Sequence, residues 1–287
     1  MPKRIILLAL PALAAYLFVL IIPTIRGSRY SLTNWNGLNP EYEFVGLQNF
    51  RDAFTSDASS RAIYVTAVIA ISTTILQNII GLLLAVGVNT RIKSRNLLRV
   101  FFFTPVVMTP VVIAYLWQYL LAPNGPVNSM IAIVSPRETY PSWLGNENLA
   151  LLSIIMVMVW QFAGFVMVIY LAGLQNIPEE ILEAASIDGT SSRQKFWSIT
   201  LPMLAPAVTI NIMLSIISGL KAFDQVWVLT GGGPAGLTNT LSTTIYRNAF
   251  QYGEFGSSIA LALILTFAIA IISIFQYRPL LRREAAL

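Results

Sequence analysis

The chain contains no cysteine and no histidine. The first absence excludes a disulfide framework and thiol nucleophiles; the second removes the usual general base and the commonest zinc ligand. Charge is scarce too. Only 11% of the 287 residues are Asp, Glu, Lys or Arg, against about a quarter in a soluble domain. No G-x-x-x-x-G-K-[ST] phosphate cradle occurs, so ATP hydrolysis is not this chain's own chemistry. The centres of its apolar runs hold no Asp, Glu or His, which argues against an ion- or proton-coupled secondary transporter. An intramembrane hydrolase is disfavoured by the missing histidine, cysteine and metal motif. The net charge of +5 is strewn between apolar runs without a basic, aromatic-bearing stripe, so no nucleic acid is expected as partner.

What remains is grease. Hydrophobic residues make up 56% of the chain and mean hydropathy is +0.69. Crossing about 30 Å of hydrocarbon takes roughly 20 apolar residues. Six runs qualify, at about 5–25, 62–88, 100–121, 149–174, 203–229 and 258–276. The first follows Lys3 and Arg4 as a secretory signal would, but it is longer than a signal's core and shows no clear small-residue cleavage site, so it is expected to stay attached. With the amino terminus inside, eleven of the 18 Lys and Arg residues fall inside and seven outside. The short connection from Arg91 to Arg99 supplies four of the eleven, with no acid, and Arg282-Arg283 closes the tail. The positive-inside rule then places both termini, and the connection 175–202, in the cytoplasm. Residues 1–287 read as a single all-α transmembrane domain, without internal repeats. Its outer loops are rich in turn formers such as Asn36, Gly37 and Pro40, and Trp35, Tyr42, Phe44 and Phe50 either pack as a small cap or lie along the membrane interface.

The polar segment 175–202 carries the most specific signal. Glu183-Ala184-Ala185, Gly189, Ile199, Leu201 and Pro202 stand at fixed spacing. Pro178, Glu179 and Glu180 open a short helix, with Asn176 placed as its cap. Two small side chains leave one side of that helix flat, and Gly189 permits a reversal that a Cβ would resist. This spacing reproduces the EAA loop of bacterial ABC importer membrane subunits, which the chain resembles. Tyr30-Ser31-Leu32-Thr33, Val45-Gly46-Leu47-Gln48-Asn49-Phe50, Pro105, Pro110, Trp117, Gly125-Pro126-Val127-Asn128, Phe223-Asp224 and Gly232-Gly233-Pro234 extend the likeness over nearly the whole chain. They point to the carbohydrate branch, similar to maltose "F"-type and glycerol-3-phosphate "A"-type permeases. The two extra amino-terminal spans and long outer domain of the largest such members have no counterpart here, so contacts made by that domain are not expected.

The resemblance implies a type I ABC importer fold with six transmembrane helices and a cytoplasmic coupling helix between spans 4 and 5. It implies Glu183, Ala184, Ala185, Asp188 and Gly189 as the contact with a cytoplasmic ABC ATPase dimer, which carries the ATP and Mg. The other implied partners are a second homologous permease subunit, an extracytoplasmic sugar-binding protein, the sugar itself and the bilayer. The location is the bacterial cytoplasmic (inner) membrane, multi-pass. No catalytic residue, cofactor or metal is expected on this chain.

Polar residues deep in the runs mark the pathway, because their cost is tolerated only facing protein or water. Met158, Gln161, Phe162 and Phe165 share one helical face of the fourth span; Asn211, Ser215, Ser218, Gly219 and Ala222 share one on the fifth. The positions matching Met158, Gln161, Phe162, Phe165, Ser215, Ser218 and Gly219 line the sugar site of the maltose-type permeases. Aromatic faces suit the apolar side of a pyranose, and amides and hydroxyls suit its hydroxyls. Interhelical hydrogen bonding explains the same polar residues as packing. Gln77 and Asn78 of the second span fit either reading. Lys221 and Asp224, three apart, read as an interfacial ion pair or part of an outer gate. Gly231, Gly233 and Gly236 satisfy G-x-G-x-x-G but lack the strand-to-helix setting of a dinucleotide site; they form either a tight, mobile loop or one reaching toward the sugar or its receptor. Glycerol-3-phosphate or another small polar solute is the alternative cargo. An anionic phosphate calls for Arg or Lys nearby, and only Lys221 is close.

Overall fold

The computed structural model describes the backbone of residues 3–90, 92–136 and 139–284, and side chains within 10–276. Of the cations that set the expected orientation, Arg91 and Arg137 lie outside the described residues, as do the side chains of Lys3, Arg4, Arg278, Arg282 and Arg283. Among the described residues the regular elements are all helices, with one isolated antiparallel bridge, Thr33 to Phe44. Two compact units share the chain: Met1–Ser60 with Leu241–Phe267, and Arg61–Thr240 with Ala268–Leu287.

In the first unit, α1 (Lys3–Tyr16) runs through a π-helical turn at Leu17–Ile21 into α2 (Ile22–Ser28). The most apolar part of Leu10–Leu32 has no residue buried within the chain. The loop beyond it is tied down closely. The Asn49 amide, in α3 (Gln48–Thr55), donates to the carbonyls of Ser31 (2.8 Å) and Thr33 (2.9 Å). Trp35 stacks on Tyr30 at 4.2 Å, and Tyr42 meets Tyr30 edge-on at 5.5 Å. These rings form the cap that the sequence allows, while Phe44 stays 75% exposed. The Trp35 carbonyl accepts the Gly256 N–H at 3.0 Å, and a Cβ on Gly256 would stand 2.0 Å from the Thr33 carbonyl oxygen.

The second unit opens in α4 (Asp57–Val88), whose buried hydroxyls face inward at no cost. Thr66, Thr73 and Thr74 each donate to the carbonyl four residues back, at 2.6–2.7 Å, so no polar partner is needed across the interface. Next come α5 (Arg95–Val107), α6 (Pro110–Leu120), α7 (Pro126–Val134) and the long α8 (Glu147–Gln175). The segment 175–202 and its end hold α9 (Glu179–Ile187), α10 (Ser192–Lys195) and, after a π turn, α11 (Leu201–Met203). Then follow α12 (Ala205–Leu220) and α13 (Asp224–Thr230). The first unit takes up again at α14 (Leu241–Phe250) and the start of α15 (Phe255–Glu284).

One apolar core gathers Val65, Ile69, Ile113, Ile154, Met158 and Val226; a second gathers Ala85, Val166, Met167, Tyr170, Leu171 and Leu204. Helix α8 belongs to both, with 61% of its apolar window buried. Its contact with α5 depends on Gly164, where a Cβ would lie 1.9 Å from the Phe102 carbonyl oxygen.

Among the described residues, four stretches are long and apolar enough to cross a membrane: Leu10–Leu32, Asp57–Val88, Glu147–Gln175 and Phe255–Gln276. The number is six if each of two bent pairs counts as one span. The stretch 100–121, read from sequence as one run, breaks at Met108 and Thr109, and its halves bend by 98°. Pro110 is the cause, because it pushes Thr109 into extended backbone and starts a fresh helix that the Thr109 hydroxyl caps. The stretch 203–229 differs likewise. A 66° bend precedes Ala205, and the chain leaves the helix between Leu220 and Asp224.

Candidate functional site

Helix α9 opens at Pro178, with Glu179 and Glu180 in its first turn. Asn176 does not cap it. Its N–H instead closes α8 on the carbonyls of Ala172 and Gly173, because the extended backbone of Pro178 separates the two helices. The two alanines also part company. Ala185 is 5% exposed and packs inward, whereas Glu183 and Ala184 face out with Asp188 and Gly189. One residue turns an α-helix by about 100°, so neighbours cannot share one flat face. The helix ends in a Schellman motif: Gly189 N–H bonds to Ser186 O at 3.2 Å and Thr190 N–H to Ala185 O at 3.1 Å. Gly189 holds φ +74°, and a Cβ added to it would meet nothing within 4 Å, so conformation, and not room, requires glycine there. Lys195 locks α10 beneath by donating to Leu182 O (3.1 Å) and to the Ser186 hydroxyl. Ile187, 87% exposed, stands at the tip.

The intramembrane faces converge only in part. A cavity of about 280 Å³ is lined by Phe162, Phe165 and Val166 of α8, Leu214, Ser215 and Ser218 of α12, Gln77 of α4 and Val106 of α5. Four of the expected residues therefore share one wall: Phe162, Phe165, Ser215 and Ser218. The other four lie behind it. Met158 is 1% exposed in the core. Gly219 abuts α4, where a Cβ would come within 2.5 Å of the Ala70 Cα. Asn211 is 0% exposed and donates to the Val166 carbonyl at 3.3 Å. Gln161 is 0% exposed; its Nε2 donates to the Met108 carbonyl at 3.2 Å, and its Oε1 accepts from Gln225 Nε2 at 3.0 Å.

Behind Ser215 the polar groups are cross-linked. Asn78 donates to Ser215 Oγ at 3.4 Å and accepts the Tyr170 hydroxyl at 2.7 Å, and Gln77 donates to the Met158 carbonyl at 3.1 Å. Sequence reasoning did not single out Gln225. The signal available was one amide in the otherwise apolar run Val226-Trp227-Val228-Leu229 that it precedes.

The glycine loop after α13 is tightly built. Gly233 N–H bonds to Thr230 O (2.9 Å), Thr238 N–H to Gly232 O (3.1 Å), and the Thr238 hydroxyl to Gly233 O (2.6 Å). Its internal hydrogen bonds fit the tight loop of the sequence reading. Lys221 caps the end of α12, and Asp224 is the first-turn acid of α13.

Residues 77–282 match the family described as binding-protein-dependent transport system inner membrane component. The chain is 35% identical to the multiple sugar-binding transport system permease protein MsmF of Streptococcus mutans, covering 89% of this chain and 88% of that one. It is 33% identical to the trehalose/maltose transport system permease protein MalF of Thermococcus litoralis, covering 95% and 93%. Its fold superposes on a chain of the bacterial ABC transporter involved in the import of the acidic polysaccharide alginate with a TM-score of 0.85, at 23% identity over 98% of this chain and 96% of that one. The family match over residues 77–282 and the identity to these relatives agree, and the chain belongs to the family of binding-protein-dependent transport system inner membrane components.

Proposed function

We propose that the chain is the permease subunit of an ATP-driven, binding-protein-dependent sugar importer and forms half of the pathway with a second homologous permease. The observation that carries this reading is the wall made by Phe162, Phe165, Ser215 and Ser218. Two aromatic rings beside two hydroxyls suit a sugar's apolar face and its hydroxyl edge. At about 280 Å³ the cavity falls just short of the about 300–1,000 Å³ of a complete ligand pocket, as befits one side of a shared site. No Lys or Arg lines it, which favours a neutral sugar over glycerol-3-phosphate. The sugar-transport names of the relatives support the same class.

In this proposal residues 1–287 form one membrane domain of six spans, the two bent pairs supplying the third and fifth. Both termini and α9 face the cytoplasm. An ABC ATPase dimer, which holds the ATP and Mg, takes the outward face of α9, and an extracytoplasmic binding protein delivers sugar from the other side. Closure of the ATPase dimer draws the docking helices together, and ATP and loaded binding protein both favour the outward-open state.

Substitution of Ser215 by Leu should block uptake in proteoliposomes supplied with saturating binding protein, while the complex still assembles and hydrolyses ATP at its basal rate. Phe165→Ala should slow uptake less severely. Normal transport by both variants would move the sugar's route elsewhere. The isolated chain should bind no radiolabelled ATP, since it has no phosphate cradle; stoichiometric binding would overturn the division of labour.

A further inference from the structure

The hydrogen bonds at Gln161 answer a backbone need. The break before Pro110 leaves the Met108 carbonyl outside the helical ladder, since the next helix bonds Val112 N–H to the Thr109 hydroxyl and Ile113 N–H to Thr109 O. At membrane depth an orphaned carbonyl is costly. Gln161 supplies its donor. A carbonyl only accepts, so the amide nitrogen of Gln161 must face Met108 and its oxygen must face away, where only a donor satisfies it. Gln225 of α13, itself 4% exposed, is that donor.

The link spans two walls of the cavity. Val106, two residues before Met108, lies on one, and Phe162, next to Gln161, on the other. We infer that Gln161 and Gln225 are a positioning pair: the Met108 carbonyl takes the Gln161 amide nitrogen, Gln225 holds the oxygen left facing away, and the bond so steadied sets the width of the cavity between α5 and α8, hence which sugars pass. Neither amide touches the cargo. The inference rests on the cavity being the sugar route.

The experiment uses the whole complex in proteoliposomes, with two sugars of different size that its binding protein delivers. Gln225→Met keeps the Met108 carbonyl satisfied and removes only the support beneath Gln161; Gln161→Met removes both bonds. Both should change the ratio of maximal uptake rates for the two sugars in the same direction, by about two- to tenfold, the range one hydrogen bond commands. The double variant should do no more than Gln161→Met alone. The assignment falls if Gln161→Met changes the ratio while Gln225→Met is wild-type, since Gln161 would then contact sugar. It also falls if both variants slow the two sugars equally, the mark of packing alone, or if their effects multiply independently. Ser215→Leu, run beside them, reports separately on the route: unhindered uptake there removes the cavity reading itself.

Discussion

Reversing the charge at Glu183 with lysine is expected to abolish ATP-driven uptake while the chain still inserts and folds. Glu183 is exposed on the outward side of α9, so its replacement leaves the chain's own packing intact. The structural cost at such a site is usually within about 0.5 kcal/mol. Against a partner surface built for an acid, the cost differs in kind, because like-charge juxtaposition across an interface is worth several kcal/mol. Gly189→Val should give the same phenotype by another route. Forcing a β-branched residue to φ +74° strains the left-handed turn by at least about 1–2 kcal/mol, and the Schellman closure of α9 is what gives way. Co-purification of the ATPase with each variant, followed by uptake and ATP hydrolysis on the same vesicles, measures both effects. Wild-type association and uptake in the two variants together would refute α9 as the coupling element.

The second large effect is expected at Gly164. A Cβ placed 1.9 Å from the Phe102 carbonyl oxygen meets backbone, which cannot rotate aside as a side-chain tip would. Gly164→Val must therefore lever α5 away from α8. Overpacking within a core costs typically about 1–3 kcal/mol, and displacement of a whole helix belongs at or above the top of that range. The purified protein should lose several degrees of melting temperature and much of its yield. Gly87→Ala is the matched control. That glycine also lies in a membrane helix but has nothing within 4 Å of its Cβ position, so alanine should be neutral or slightly stabilising, as helix propensity dictates. Equal behaviour of the two variants would mean that the α5–α8 approach is looser than the Gly164 geometry requires.

Much of the fold is legible in the sequence, for identifiable reasons. Runs of apolar residues announce membrane helices through composition alone, and Leu10–Leu32, Asp57–Val88, Glu147–Gln175 and Phe255–Gln276 follow from it. Helix α9 is legible because Pro178 and Gly189 are special for backbone conformation, which acts locally. The break at Met108 is harder to read. Pro110 is visible, but proline bends some membrane helices gently and severs others, and the 98° outcome depends on the Thr109 cap and on Gln161 reaching across from another helix. The cavity wall is half legible. Helical periodicity groups Gln161 with Phe162 and Phe165, yet periodicity cannot tell which edge of a face is outermost, and that edge decides which residue meets the cargo. Gln225 escapes a sequence reading because its partner lies 64 positions away.

The clasp around Trp35 also sets an order in time. Asn49 reaches back to Ser31 and Thr33 soon after all three emerge from the ribosome, so these hydrogen bonds are available early. The carbonyl of Trp35 must wait for the N–H of Gly256, which lies far along the chain. At about 5–20 residues per second that wait is on the order of ten seconds or more. For that interval the loop after the first apolar segment stands incomplete beside a lengthening chain, and it is α15 that closes it.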